Sequence, residues 1–216
     1  MSNKILAVSI YNMSLIIVLL MFIVLFSSPI SAIEKKTIVI IGDSLSAAHG
    51  IPLETSWPKL LQQKINENNY RYNVVNTSIS GDTSYNALNR SKTMLTQFKP
   101  AACLIAIGAN DGLQGLSLKQ LKNNLHALVK LCQQYTHKII LFEMKLPFNY
   151  GKVFVERFSN IYHQVAKQTS VKLLPFFMES FALDMTMFLD DRIHPTEHAQ
   201  PVMANTVWKE LEGLIK

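Results

Sequence analysis

The sequence predicts an α/β protein, a three-layer α/β/α sandwich on a five-stranded parallel sheet. Three observations predict it. Short β-branched runs alternate with longer segments of helical period, as in repeated βαβ units. The strand runs are apolar throughout rather than alternating, as expected when helices cover both faces. Each strand run ends in a segment rich in Gly, Asp, Asn or Glu, where an open parallel sheet presents its chemistry. In order, the chain reads as a strand at 37–41 (Thr-Ile-Val-Ile-Ile), a helix at 56–68 and a strand at 72–76. A helix at 84–97, a strand at 101–107 and a helix at 118–135 follow. The last elements are a strand at 138–142, a helix at 153–169, a strand at 171–174 and a helix at 196–215. The 118–135 segment shows the period most clearly, with apolar residues at Leu118, Leu121, Leu125, Leu128, Val129 and Cys132. There is no internal repeat, low-complexity tract or interdomain linker, so residues 33–216 form one domain.

The first 32 residues stand apart. Lys4 is the only charge before Glu34, an apolar run is densest at 15–26, and Ser27-Ser28-Pro29-Ile30-Ser31-Ala32 closes the segment. A basic start, an apolar middle and a small-residue end describe a signal peptide cut after Ala32. The alternative is an uncleaved inner-membrane signal anchor, because 5–26 nearly spans a bilayer. No cysteine lies near the junction to carry a lipid. Either way the domain is expected in the periplasm or outside the cell.

Without Lys4 the chain keeps 20 Lys and Arg against 15 Asp and Glu, a net of +5. These charges are scattered, which indicates a solvated basic surface and argues against nucleic acid as a partner. Transient contact with a membrane surface or a phosphate-bearing substrate is compatible with that surface. Cys103 sits in a strand run and Cys132 in a helix run, and both are expected as separate buried thiols rather than a disulfide.

The strand ends carry the chemistry. Ser44 follows the first strand in Gly42-Asp43-Ser44 and is the candidate nucleophile, its own N–H free to meet a carbonyl oxygen. His194 is the candidate general base and acid, and Asp191, three residues earlier, is placed to orient its imidazole. Gly81 offers a backbone N–H and Asn110 a side-chain amide, so Ser44, Gly81 and Asn110 would form an oxyanion hole. Asp43 reads as structural, because an acid beside the nucleophile opposes an oxyanion. His49, His126, His137, His163 and His198 have no matched partner and read as surface or satisfied residues. No set of ligands converges for a metal, even with His194 and His198 four apart.

In series these blocks resemble the SGNH (GDSL) hydrolase family: Gly42-Asp43-Ser44-Leu45, Gly81-Asp82, Gly108-Ala109-Asn110-Asp111 and Asp191-Arg192-Ile193-His194. Further segments are similar to its bacterial periplasmic thioesterase and lysophospholipase group. They include Ser78-Ile79-Ser80-Gly81-Asp82-Thr83-Ser84, Leu146-Pro147-Phe148-Asn149-Tyr150-Gly151 and Leu174-Pro175-Phe176-Phe177-Met178-Glu179. The resemblance implies a flavodoxin-like sandwich, a Ser-His-Asp mechanism without a cofactor, and hydrolysis of acyl thioesters and carboxylic esters. Two positions depart from the pattern. Ala109 replaces a usual glycine and would be strained if that position requires a positive φ. Arg192 replaces a smaller residue and is placed to compete for the Asp191 carboxylate or to bind an anionic group.

Apolar residues near the strand ends, among them Leu146 and Phe148, are candidates to line an acyl groove. Small-molecule acyl esters or thioesters, fatty acyl or lysophospholipid, are the expected partners of a monomer. The alternatives are a carbohydrate O-acetylesterase of the same family and a non-enzymatic envelope binding protein. The chain lacks the glycine-rich loop of a nucleotide site.

Overall fold

The computed structural model describes Lys35–Lys216. The signal-peptide expectation for 1–32 falls outside the described residues. Among the described residues no helix is long and apolar enough to cross a membrane.

Strands and helices alternate as β1 (Lys36–Gly42), α1 (Trp57–Glu67), β2 (Tyr72–Asn76), α2 (Ser84–Phe98) and β3 (Ala102–Ala106). They continue as α3 (Ala109–Leu113), α4 (Leu118–Gln133), β4 (Ile139–Phe142), α5 (Lys152–Thr169), β5 (Lys172–Leu174) and α6 (Gln200–Ile215). All five strands are parallel, in the order β2-β1-β3-β4-β5. The chain steps outward from β1 to β2 and then crosses back past β1 to β3. Right-handed crossovers in opposite directions put helices on opposite faces. Thus α1 packs with α6 on one face, while α2, α4 and α5 pack together on the other. This is the flavodoxin-like strand order, and its reversal between β1 and β3 opens a crevice at the carboxyl ends of the strands.

Burial follows position in the sheet. Ile38 to Ile41 and every residue of β3 and β4 are buried, whereas the edge strands β2 and β5 are only partly covered. Two helices on one face start with side-chain caps: Thr83 accepts from the Asn86 N–H and Ser117 from the Gln120 N–H. Trp57 anchors the other face. Its ring meets Phe142 and Phe177 at centroid distances of 5.9 Å each. Its backbone N–H donates to the buried Gln200 side chain at 2.9 Å, which ties α1 to α6.

One local expectation changes and two details are added. The segment around Asn110 forms a short helix, α3. The last helix begins at Gln200 rather than at Thr196, because Pro201 suits a helix start and Thr196 instead gives its hydroxyl to the Met187 carbonyl at 3.2 Å. Cys103 and Cys132 are both free and buried, as the sequence predicts, and α4 brings the two thiols beside each other over the sheet. The adjoining Cys103 thiol and burial together push the Cys132 thiol well up from its ordinary value.

Candidate active site

β1 stops at Gly42 for a steric reason. A Cβ there would lie 2.7 Å from Ser78 Oγ, 2.8 Å from Ser46 Oγ and 3.0 Å from the Ala106 carbonyl. Only glycine lets the strand end this close to the loop after β2 and to β3. The chain then turns on itself, the N–H groups of Ser46 and Ala47 donating to the Asp43 carbonyl at 3.1 and 3.0 Å. Ser44 rides on this turn, half-buried. Trp57 Nε1 donates to the Leu45 carbonyl at 3.1 Å, so the turn is fastened to the core.

The candidate base, His194, stands on a loop between β5 and α6. That loop is clipped across its neck by Leu189 N–H to the His194 carbonyl and Thr196 N–H to the Met187 carbonyl, both at 2.8 Å. Asp191 serves it twice. One oxygen, Oδ1, accepts from the N–H groups of Ile193 at 2.8 Å and His194 at 2.9 Å, which fixes the turn. The other, Oδ2, lies 2.6 Å from His194 Nδ1. On the far side of the ring, His194 Nε2 lies 2.8 Å from Ser44 Oγ. A carboxylate only accepts, so Nδ1 carries the ring proton and Nε2 keeps its lone pair toward the serine. Burial works against charge on Asp191, but bonds from the His194 N–H, the His194 ring and the Ile193 N–H bring its pKa down to about 2.

The other oxyanion candidates lie beyond the carboxyl ends of β2 and β3, the strands on either side of β1. Among the described residues nothing accepts from the N–H groups of Ser44 or Gly81. Gly81 has φ 83°, a left-handed conformation that a side chain would strain. Asn110 opens α3, and its amide donates one hydrogen to the Asp82 carbonyl at 2.9 Å, leaving the second. The neighbouring Asp111 holds α3 to α2 by accepting from Ser84 N–H at 2.7 Å and from its hydroxyl at 2.5 Å. Burial raises the Asp111 pKa and these bonds pull against that rise.

Arg90, on α2, carries no signal in the sequence that marks it as a site residue. Its guanidinium contacts the Asp82 carboxylate at 2.6 Å, the Thr77 carbonyl at 2.5 Å and the Gly42 carbonyl at 3.3 Å. One side chain thus fixes the end of β1 against the segment that carries Gly81. The only sequence trace is an acid eight positions earlier, on no recognisable spacing. Asp43 is fully buried, with Oδ1 accepting from Leu45 N–H at 3.1 Å and Oδ2 without a partner among the described residues. Burial pushes its pKa up to about 7.

The two departures from the family pattern resolve differently. The positive φ falls on Gly108 (111°), and Ala109 is helical, so the alanine bears no strain. Arg192 does sit in the left-handed region, with φ 59°, which is why a glycine suits that place. No ion pair joins Arg192 to Asp191 among the described residues; the carboxylate is taken by the loop and the imidazole.

The apolar candidates divide. Leu146 is 4% exposed and lies over Gly112 in the core, because the chain after β4 dives back under α3. Phe148 is 80% exposed. Met144, Met178 and Phe181 are buried as well. A surface hollow beside the His194 loop is lined by Gly50, Ile51, Leu189, Thr196, Glu197 and His198.

A hydroxyl, an imidazole and a carboxylate in series at the carboxyl edge of a parallel sheet are the arrangement of a hydrolase. Comparison with known proteins narrows the class. The model of the GDSL-like lipase/acylhydrolase family matches residues 40–200. The chain is similar to Esterase TesA of Pseudomonas aeruginosa, 40% identical, covering 83% of this chain and 90% of that protein. It is 38% identical to the thioesterase 1/protease 1/lysophospholipase L1 of Escherichia coli K12, covering 90% and 91%. The crystal structure of a psychrotrophic esterase, EstA from Pseudoalteromonas sp., superposes with a TM-score of 0.79 at 37% identity, covering 83% and 98%. The chain belongs to the GDSL-like lipase/acylhydrolase family, and it is an enzyme of the esterase class.

Proposed function

We propose that the protein is a serine hydrolase of acyl esters and thioesters, working through Ser44, His194 and Asp191 and an acyl-enzyme. The observation that carries this reading is the continuous path from Asp191 Oδ2 through His194 to Ser44 Oγ, at 2.6 and 2.8 Å. Ser44 Oγ attacks the acyl carbonyl carbon while its proton passes to His194 Nε2. Asp191 stays ionised and stabilises the imidazolium. The oxyanion accepts from the Ser44 and Gly81 N–H groups and the Asn110 amide. Collapse expels the alcohol or thiol, which takes its proton from His194. Water, deprotonated by the same imidazole, then attacks the acyl-serine and frees the acid. The step needs no cofactor.

Relatives named esterase, arylesterase and thioesterase/lysophospholipase support small acyl esters and thioesters as the substrate class. Phe148, exposed beside the loop after β4, is the remaining candidate to meet an acyl chain, each methylene buried being worth about 0.8 kcal/mol. Export to the periplasm completes the reading, on the sequence of the first 32 residues.

Replacing Ser44 tests it. Ser44→Ala should lower kcat on p-nitrophenyl esters by about a millionfold with an unchanged far-UV circular dichroism spectrum, and should abolish labelling by a fluorophosphonate. Turnover near the wild-type rate in that variant would remove Ser44 from the mechanism.

A further inference from the structure

We propose that His49 converts the catalytic imidazole into part of a divalent-metal site, so that Zn²⁺ binds His49, His194 and Asp191 and reversibly blocks the enzyme. The inhibition rests on the catalytic reading of His194; the binding site does not.

The site arises from the turn after the nucleophile. Ala48 adopts φ 59°, which brings the chain back so that the His49 ring lies against His194. The ring centroids are 4.2 Å apart and tilted by 40°. One ligand atom from each of His49, Asp191 and His194 lies within 4.8 Å of the other two. Bonds of about 2.0–2.2 Å in a tetrahedral site put donors roughly 3.3–3.6 Å apart, so the Asp191–His194 pair opens from 2.6 Å and the His49 ring swings in from within 4.8 Å. Two of the three ligands can move. His49 and Asp191 are exposed, and no hydrogen bond holds the His49 ring among the described residues.

The donor set defines the ion. Two imidazoles and one carboxylate are borderline nitrogen and oxygen ligands, which suit Zn²⁺ and disfavour Ca²⁺ or Mg²⁺. Three protein ligands leave a fourth position to water. The consequence follows from the lone pairs. With Nδ1 protonated toward Asp191, the free pair of His194 is the one that must accept the Ser44 proton. An ion shared by His194 and Asp191 sits on the Nδ1 side of the ring, because Asp191 Oδ2 lies there, and it replaces the Nδ1 proton. The ring proton is then on Nε2, which donates to Ser44 Oγ and cannot accept its proton. Turnover stops until the ion leaves. His198, four residues beyond His194, is not part of the cluster.

The test is a ZnCl₂ titration of ester hydrolysis, each protein scaled to its own metal-free rate. The wild type should lose activity at roughly micromolar Zn²⁺ and regain it with EDTA. His49→Phe keeps a flat ring over His194 but no ligand, and should need about tenfold more Zn²⁺ or higher for the same fractional loss. His198→Phe should titrate like the wild type. Independently, Ser44→Ala retains all three ligands and should bind Co²⁺ with the visible absorption of a tetrahedral site, weakened by His49→Phe in the same background. Equal Zn²⁺ sensitivity of wild type and His49→Phe, or absent Co²⁺ bands, would overturn the proposal. If no ester is hydrolysed at all, the catalytic reading falls and the Co²⁺ result still decides the site.

Discussion

Ser44 and His194 meet across 2.8 Å, yet they are held on different terms. Ser44 stands at the end of a strand whose last five residues are buried and whose neighbours are fastened by Trp57 and Arg90. His194 and Asp191 stand on a loop that is mostly exposed and bonded largely to itself. The Asp191 side chain is 42% exposed, whereas Asp43, beside the nucleophile, is not exposed at all. The difference teaches where precision comes from in each half. Ser44, Gly81 and Asn110 inherit theirs from the sheet. His194 inherits its own from one carboxylate that both builds the turn and bonds the ring.

If that is so, the largest effect among changes that leave Ser44 in place belongs to Asp191→Asn. An asparagine there can keep its carbonyl oxygen toward the N–H groups of Ile193 and His194, which preserves the turn. Its NH₂ group then faces the imidazole and donates where the carboxylate accepted, so the wrong tautomer is favoured. We expect kcat to fall about 10⁴-fold with the unfolding midpoint little changed. A fall of less than tenfold would show that the loop positions the imidazole without this carboxylate.

The next effect concerns the buried side. Asp43 has its pKa raised from 3.8 to about 7 by burial, so the fold favours its neutral form. Below about pH 4 the group is neutral in folded and unfolded chains alike. As pH rises from about 4 to 7 the unfolded chain releases the proton and the fold retains it, so stability falls. The loss reaches up to about 4 kcal/mol above pH 7, at 1.36 kcal/mol per pKa unit. Asp43→Asn removes this titration. Its stability relative to wild type, from urea unfolding, should therefore improve between about pH 4.5 and 7.5. An unchanged difference at the two pH values would mean that the carboxyl is not held neutral.

The smallest effect tests the exposed loop. Arg192 holds a left-handed backbone and makes no ion pair among the described residues. Arg192→Gly should stabilise the protein by about 1 kcal/mol, read as a higher urea midpoint, with kcat nearly unchanged. A destabilised variant would show that the arginine side chain supports the loop in a way its backbone strain does not reveal.

Much of this was legible in the chain itself. The alternation of apolar runs and helical periods marks every strand, with no end shifted by more than one residue. Ser44, Gly81, Asn110, Asp191 and His194 all stand in local patterns with a chemical meaning: a glycine at a sharp turn, an amide after a strand, an acid three positions before a histidine. What these patterns lack is any record of partners distant in the chain. Leu146 and Phe148 look alike in sequence beside Pro147, yet one is in the core and the other in solvent. Cys103 and Cys132 read as separate thiols, which they are, but their spacing does not show that they adjoin.

The sequence by itself determined the layered α/β architecture, the strand ends that bear reactive groups and the turn in which one aspartate serves one histidine. All of these rest on residues within a few positions of each other. Only the tertiary structure decided that Arg90 fastens two strand ends, that Arg192 carries the positive φ while Ala109 does not, and that His49 lies against the His194 ring. Those outcomes depend on where a parallel sheet brings loops together. Packing sets that placement across the whole domain, and no local spacing encodes it.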